Sequence, residues 1–133
     1  MTQYLLDTNI ISDLVRNPRG RIEQNIKRVG SSNILTNVAV TGELFFGVAK
    51  SKSSRLSTQL SIILQGIQVL SLDPPVDQAY GDLRAALEVS GDLIGANDLW
   101  IAAQARMMGL TLVTDNVREF SRVPGLTVEN WLR

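Results

Sequence analysis

Four acidic residues, Asp7, Glu43, Asp98 and Asp115, stand beside or within segments where an α/β chain ordinarily buries hydrocarbon. Asp7 closes the run Tyr4-Leu5-Leu6, and Asp115 closes Leu112-Val113-Thr114. Glu43 and Asp98 each fall on the apolar stripe of a predicted helix. A buried carboxylate without a partner is costly, so it must protonate, find a counter-charge or bind a cation. Four such acids spread along the chain therefore call for a fold that gathers them at one charge-neutralising centre. A hard divalent metal, which prefers oxygen ligands, is the natural occupant.

The residues that are missing narrow that centre further. The 133 residues include no cysteine and no histidine. Disulfides, thiolate sites, the usual zinc ligand and the usual neutral-pH general base are thereby excluded. Any metal site is oxygen-based, and any hydrolysis draws its base from a carboxylate or from water activated by the ion. Thirteen basic residues balance thirteen acidic ones, so net charge makes no case for a polyanionic partner and only local patches could. The length fits one domain, residues 1–133, that buries roughly two-thirds of its unfolded surface. No basic segment precedes the first apolar run, and no apolar stretch approaches the roughly 20 residues needed to span a bilayer. The expectation is a cytoplasmic protein with no membrane partner.

Short apolar runs alternate with helical periodicity throughout. Strands are expected at Tyr4–Leu6, Asn33–Thr36, Gln68–Leu72 and Thr111–Thr114, with a fifth at Thr127–Glu129. Between them the spacing predicts helices from Ile10 to Val15, over 20–29, from Ala39 to Lys50, from Leu56 to Leu64, from Val76 to Val89 and from Asp98 to Met108, the last capped by Gly109. On that last helix Asp98, Ile101, Ala102, Ala105 and Met108 share one face. This alternation predicts a three-layer α/β/α sandwich around a parallel sheet. Ligands of such sheets bind beyond the carboxyl ends of the strands, where Asp7 and Asp115 fall.

Each acid alone has an ordinary explanation. Asp7 suits a helix cap, Asp98 a helix first turn and Asp115-Asn116 a turn. Glu43 does not fit such a role, because it sits mid-helix between Val40 and Leu44 on the inward face. Together, the four would repel one another and drive their pKa values up unless a cation intervened. Magnesium or manganese suits a carboxylate site that keeps several waters. The chemistry such a centre supports is phosphodiester hydrolysis.

The motifs also resemble a known family, the PIN-domain ribonucleases, and within it the VapC toxins of bacterial toxin–antitoxin pairs. Leu6-Asp7-Thr8-Asn9 is similar to that family's opening motif, and Glu43-Leu44-Phe45-Phe46-Gly47 to its Glu-Leu-x-x-Gly helix. Ile94-Gly95-Ala96-Asn97-Asp98, continued by Ile101-Ala102-Ala103, resembles the region of the third acid. Leu112-Val113-Thr114-Asp115-Asn116, Arg118-Glu119-Phe120 and Val123-Pro124-Gly125-Leu126 resemble the carboxyl-terminal block. The resemblance spans residues 4–132. It implies a parallel-sheet sandwich that cleaves RNA with Mg2+ or Mn2+, using Asp7, Glu43 and Asp98 as principal acids. For the fourth place Asp115 ranks above Glu119, with Thr114 and Asn116 as supporting groups. Three positions depart from the pattern: Val40 where Thr is frequent, Asn37 where Ser is common, and Gln104 where His is frequent.

The same resemblance implies an antitoxin partner, a homodimer and an RNA substrate, with the anticodon loop of initiator transfer RNA as first expectation. The antitoxin would bury its tail near Leu56, Leu60, Ile63 and Leu64 and send an Arg into the acidic site; the ordinary reading of those residues is core. For RNA contact, Arg84 and Arg118 are preferred over Lys50, Lys52, Arg55 and Arg122, which read as solvated. A non-catalytic metal-binding module and a DNA nuclease stay open as alternatives. A phosphotransferase with Asp7 as nucleophile is disfavoured, because Asn9 stands where a second Asp would be needed.

Overall fold

Each apolar run expected to be a strand is one, and all are short. The structure, a computed structural model, describes residues 1–133. Its strands are β1 (Tyr4–Leu6), β2 (Ile34–Asn37), β3 (Gln68–Leu70), β4 (Thr111–Val113) and β5 (Val128–Glu129). They form one parallel sheet in the order β3-β2-β1-β4-β5. Leu5 is aligned with Leu35 on one side and with Leu112 on the other. The central strands are apolar almost throughout because both their faces are covered: Leu5, Leu6, Leu112 and Val113 are fully buried.

Seven helices provide that cover: α1 (Thr8–Arg16), α2 (Arg21–Val29), α3 (Val38–Ser51), α4 (Ser54–Gln65), α5 (Val76–Ser90), α6 (Ala96–Met107) and α7 (Val117–Phe120). The chain moves outward from β1 through β2 to β3, then returns to lay β4 on the opposite side of β1. The strand order reverses there, which opens a crevice at the carboxyl ends of β1, β2 and β4. Polar residues occupy all three ends. Asp7 follows β1 and caps α1, Asn37 ends β2 and caps α3, and Thr114 follows β4. The backbone N–H of Asp7 donates to the Val113 carbonyl at 2.9 Å, fixing the first of these ends against the third.

Several details differ from the sequence expectation. Helix α6 begins at Ala96, so Asp98 lies within its first turn. Met108 does not share the buried face of Ile101, Ala102 and Ala105; it is 45% exposed and lies beyond the last helical residue. Gly109 follows it with a positive φ of 66°, which a residue with a side chain adopts only under strain. Helix α7 had no periodic signal because it is a single turn. Of the four α4 residues expected in the core, Leu60 is buried, while Leu56, Ile63 and Leu64 are half-buried.

Two departures from the family pattern meet in the interior. The Asn37 amide donates to Gln104 Oε1 at 2.8 Å, and Gln104 Nε2 donates to the Ser71 carbonyl at 2.8 Å. Asn37 Oδ1 also accepts from the Val40 N–H at 3.0 Å. This buried relay ties the start of α3 to the middle of α6 and to the segment after β3. Gln104→Leu should cost about 1–3 kcal/mol, because it leaves the Asn37 amide and the Ser71 carbonyl without partners. Urea unfolding should show a lower midpoint at unchanged slope. An unchanged midpoint would mean that the relay contributes nothing.

Candidate active site

Asp7 reaches the crevice because β1 ends and α1 begins at that residue. Its extended backbone lets one side-chain oxygen accept from the Thr8 N–H at 2.8 Å. The other oxygen accepts from the Thr114 hydroxyl at 2.7 Å. That hydroxyl has a single proton, and it in turn accepts from the Asn116 N–H at 3.0 Å. Asp7 is thus held at a fixed angle across two adjacent strands. Burial raises its pKa, the bonds from Thr114 and Thr8 oppose the rise, and the nearby Glu119 charge adds to it.

Asp98 projects from the first turn of α6 toward the same place. Its pKa is raised to about 7, first by burial, then by a hydrogen bond with Glu119 and by the charges of Glu119, Asp7 and Glu43. Burial also acts on Glu119, but the bonds from Asp98, Asn116 and the Gly95 N–H, with Arg122 nearby, outweigh it and lower that carboxyl. Below about pH 7 the pair therefore holds one proton, on Asp98, which donates to Glu119. Glu119 is held in place by the Asn116 amide at 2.6 Å and by the Gly95 N–H at 3.2 Å.

Glu43 completes the group from α3. One of its oxygens, Oε1, is buried without a hydrogen-bond partner, as is the Thr8 hydroxyl. Asp7, Glu43 and Asp98 line a cavity of about 380 Å³ whose wall has no apolar side chain; Thr8, Asn9, Ser12, Arg16 and Asn116 make up the rest. No three of the carboxylates are gathered closely enough to enclose an ion by themselves. The donor set nevertheless fits a hard cation. It offers oxygen ligands only, one of them unpartnered, around a polar space with room for water, and magnesium characteristically keeps several waters.

The two candidates for the fourth acid sit differently: neither lines the cavity, but Glu119 lies beside Asp98. The Asp115 carboxylate turns away from the cavity, accepting from the Asn130 amide at 3.0 Å and lying 3.7 Å from Arg133. One residue of turn separates the end of β4 from Asp115, whereas the single turn of α7 carries Glu119 back to Asp98. Neither Arg84 nor Arg118 lines the cavity; Arg84 donates to the Tyr80 hydroxyl at 3.0 Å, and Arg118 is exposed on α7. The cation in the wall is Arg16, which sequence reading missed. Its signal was present, since Thr8, Ser12 and Arg16 recur every fourth residue along α1 after Asp7.

Beside this acidic space runs an apolar groove between α1, α3 and α4, lined by Val15, Leu44, Val48, Leu56 and Leu60. Thr8, Ser12, Arg16 and Glu43 border both hollows. No helix of the chain is long and apolar enough to cross a membrane.

Residues 4–126 match the family model described as the PIN domain. The chain is 37% identical to Ribonuclease VapC2 of Rickettsia felis over 130 residues, covering 96% of this chain and 97% of that protein. It is 33% identical to the tRNA(fMet)-specific endonuclease VapC of Shigella flexneri over 132 residues, covering 98% and 99% of the two chains. Among solved structures, VapBC2 from Rickettsia felis bound to a promoter DNA fragment superposes with a TM-score of 0.91 at 35% identity, covering 98% of this chain and 99% of that one.

The raised carboxyls carry a consequence for stability. The folded chain holds the Asp98 proton more tightly than an unfolded chain does, so the contribution of this group to stability is full below the ordinary aspartate value. It falls as pH rises from the ordinary aspartate value of 3.8 toward about 7. Asp98→Asn should remove much of that slope and stabilise the metal-free protein at neutral pH by about 1 kcal/mol once solvent screening of this half-exposed group is allowed for. Thermal melts in chelator from pH 4 to 8 measure it; a mutant less stable than wild type at pH 7 would contradict it.

Proposed function

Because this chain belongs to the PIN-domain family, we propose that it is a VapC-type toxin, a single-domain endoribonuclease that cleaves RNA with a divalent metal. The observation that carries the reading is the group of Asp7, Glu43 and Asp98 lining one polar cavity, with Glu119 beside Asp98, whose carboxyl is raised to about 7 by burial and by the neighbouring charges. Asp7, Glu43 and Asp98 would hold Mg2+ or Mn2+, with Glu119 rather than Asp115 as the fourth acid. When bound, the ion neutralises the carboxylates and polarises the scissile phosphate.

The chain's own residues supply the remaining requirements. Thr114 aims Asp7 and opposes the rise that burial imposes on its pKa, because its hydroxyl donates to the Asp7 carboxylate. Asn116 and the Gly95 N–H hold Glu119 in its accepting, charged form. A carboxylate so held can take a proton from the attacking water as the water oxygen bonds to phosphorus and the opposite P–O bond breaks, the leaving oxygen taking a proton from solvent. We assign this step to Glu119, which lies beside Asp98.

The relative from Shigella flexneri is named for initiator transfer RNA, and that RNA is the first substrate to test. An antitoxin is the partner we assign to the apolar groove, because the groove opens into the acidic cavity. An amphipathic segment lying in it could present a cation to Glu43 and Asp98 and silence the site. We also assign a homodimer and a cytoplasmic location.

Asp7→Asn and Asp98→Asn should each lower cleavage of transfer RNA at least about a hundredfold with the fold intact, by the general cost of losing catalytic charge stabilisation. Glu119→Gln should lose about tenfold or more, and Asp115→Asn less than about threefold. Gel assays with magnesium, manganese or chelator, and with single-stranded DNA in parallel, would measure all four. Full activity of Asp98→Asn would rule out the shared carboxylate centre. Cleavage of DNA in preference to RNA would overturn the substrate assignment.

A further inference from the structure

An acidic cavity repels the polyanion it is meant to cleave, so some cation near its wall must offset the phosphates flanking the bond that breaks. Among the residues lining this cavity only Arg16 carries positive charge. Four other arginines are engaged elsewhere, Arg21 with the Leu132 carbonyl, Arg84 with Tyr80, Arg106 with the Pro124 carbonyl and Arg122 with the Leu93 carbonyl, while Arg19, Arg55 and Arg118 do not line the cavity. Arg16 makes neither a side-chain hydrogen bond nor an ion pair, although Glu43 lines the same space. A cation in the last turn of α1 also complements the helix dipole. The dipole accounts for a basic residue there, but not for its place in the walls of both the cavity and the adjoining groove.

Its neighbours on the same face strengthen the case. Thr8, Ser12 and Arg16 are spaced four apart, so α1 presents two hydroxyls and a guanidinium in a row along the cavity. The Thr8 hydroxyl is buried with no partner. The row extends about 12 Å from the end that carries Asp7, at 1.5 Å per helical residue. Arg16 stands at the far end of this row from Asp7, so a phosphate neighbouring the scissile one is the group assigned to it.

We propose that Arg16, assisted by Ser12, binds a phosphate of the RNA backbone flanking the cleaved bond, making the polar face of α1 the track along which substrate enters the acidic cavity. The inference rests on the nuclease reading above. Binding at a flanking phosphate is the same in ground state and transition state, so its loss falls on KM rather than on kcat. Arg16 is exposed and makes no contact that folding depends on, so its variants should melt with wild type.

The test compares Arg16 with Arg16→Ala and Arg16→Lys on initiator transfer RNA and on its anticodon stem-loop in magnesium. Equilibrium binding is measured in the cleavage-deficient Asp98→Asn background from 50 to 300 mM salt, and steady-state cleavage in the otherwise native chain. Arg16→Ala should raise both Kd and KM about three- to tenfold, with kcat nearly unchanged. The slope of log K against log salt should fall by roughly 0.7, the value for one phosphate contact on a single strand. Arg16→Lys should restore most of the slope. An unchanged slope and KM in Arg16→Ala would overturn the assignment, as would a loss confined to kcat. If the native chain neither binds nor cuts RNA, the nuclease reading itself fails, which is a separate result.

Discussion

Four carboxylates drawn to one edge of a parallel sheet repel each other, and the local structure around them is arranged to contain that repulsion. Asp7, Glu43, Asp98 and Glu119 come from the β1–α1 junction, α3, α6 and α7, so no single element could be moved without changing the electrostatics of the others. In the absence of a cation the charge is reduced by a proton held between Asp98 and Glu119. Two like charges so close cannot both ionise at little cost. That proton marks the charge deficit that a divalent ion would fill.

The supporting bonds follow from this constraint. Asp7 receives a hydroxyl and a backbone N–H, and Glu119 receives an amide and a backbone N–H. Glu43 is left with an oxygen that nothing in the chain satisfies. The contrast fits a site in which some ligands are fixed in advance and one is kept free for its ion. Further from the charge, the buried Asn37–Gln104–Ser71 relay holds α3 and α6, the helices that carry Glu43 and Asp98, in one relation to each other. A site that is destabilising without its cation needs a frame of this kind to stay folded.

Much of the fold was legible because both periodicities were clean. Apolar runs such as Tyr4-Leu5-Leu6 and Thr111-Leu112-Val113 have no polar face, as strands buried on both sides should. Asp7, Glu43 and Asp98 stood out for a related reason, as acids interrupting apolar patterns. What the pattern could not convey was direction. Sequence proximity to β4 favoured Asp115, but a turn residue can point either way, and here its carboxylate faces Asn130 and Arg133. Glu119 regains the site through one helical turn too short to leave a periodic trace. Arg16 was missed because it resembles an ordinary C-terminal cation; only the placement of α1 against α3 shows that its face borders the cavity.

The central claim is that a divalent cation takes the place of the proton shared by Asp98 and Glu119. Titration calorimetry of the partner-free protein with Mn2+ at pH 6, in two buffers of different ionisation enthalpy, measures it most directly. At that pH a group titrating near 7 is mostly protonated, so binding one ion should release close to one proton. Asp98→Asn should bind far more weakly and release almost none. Tight Mn2+ binding with no proton released, or no binding by the folded wild-type chain, would contradict the account.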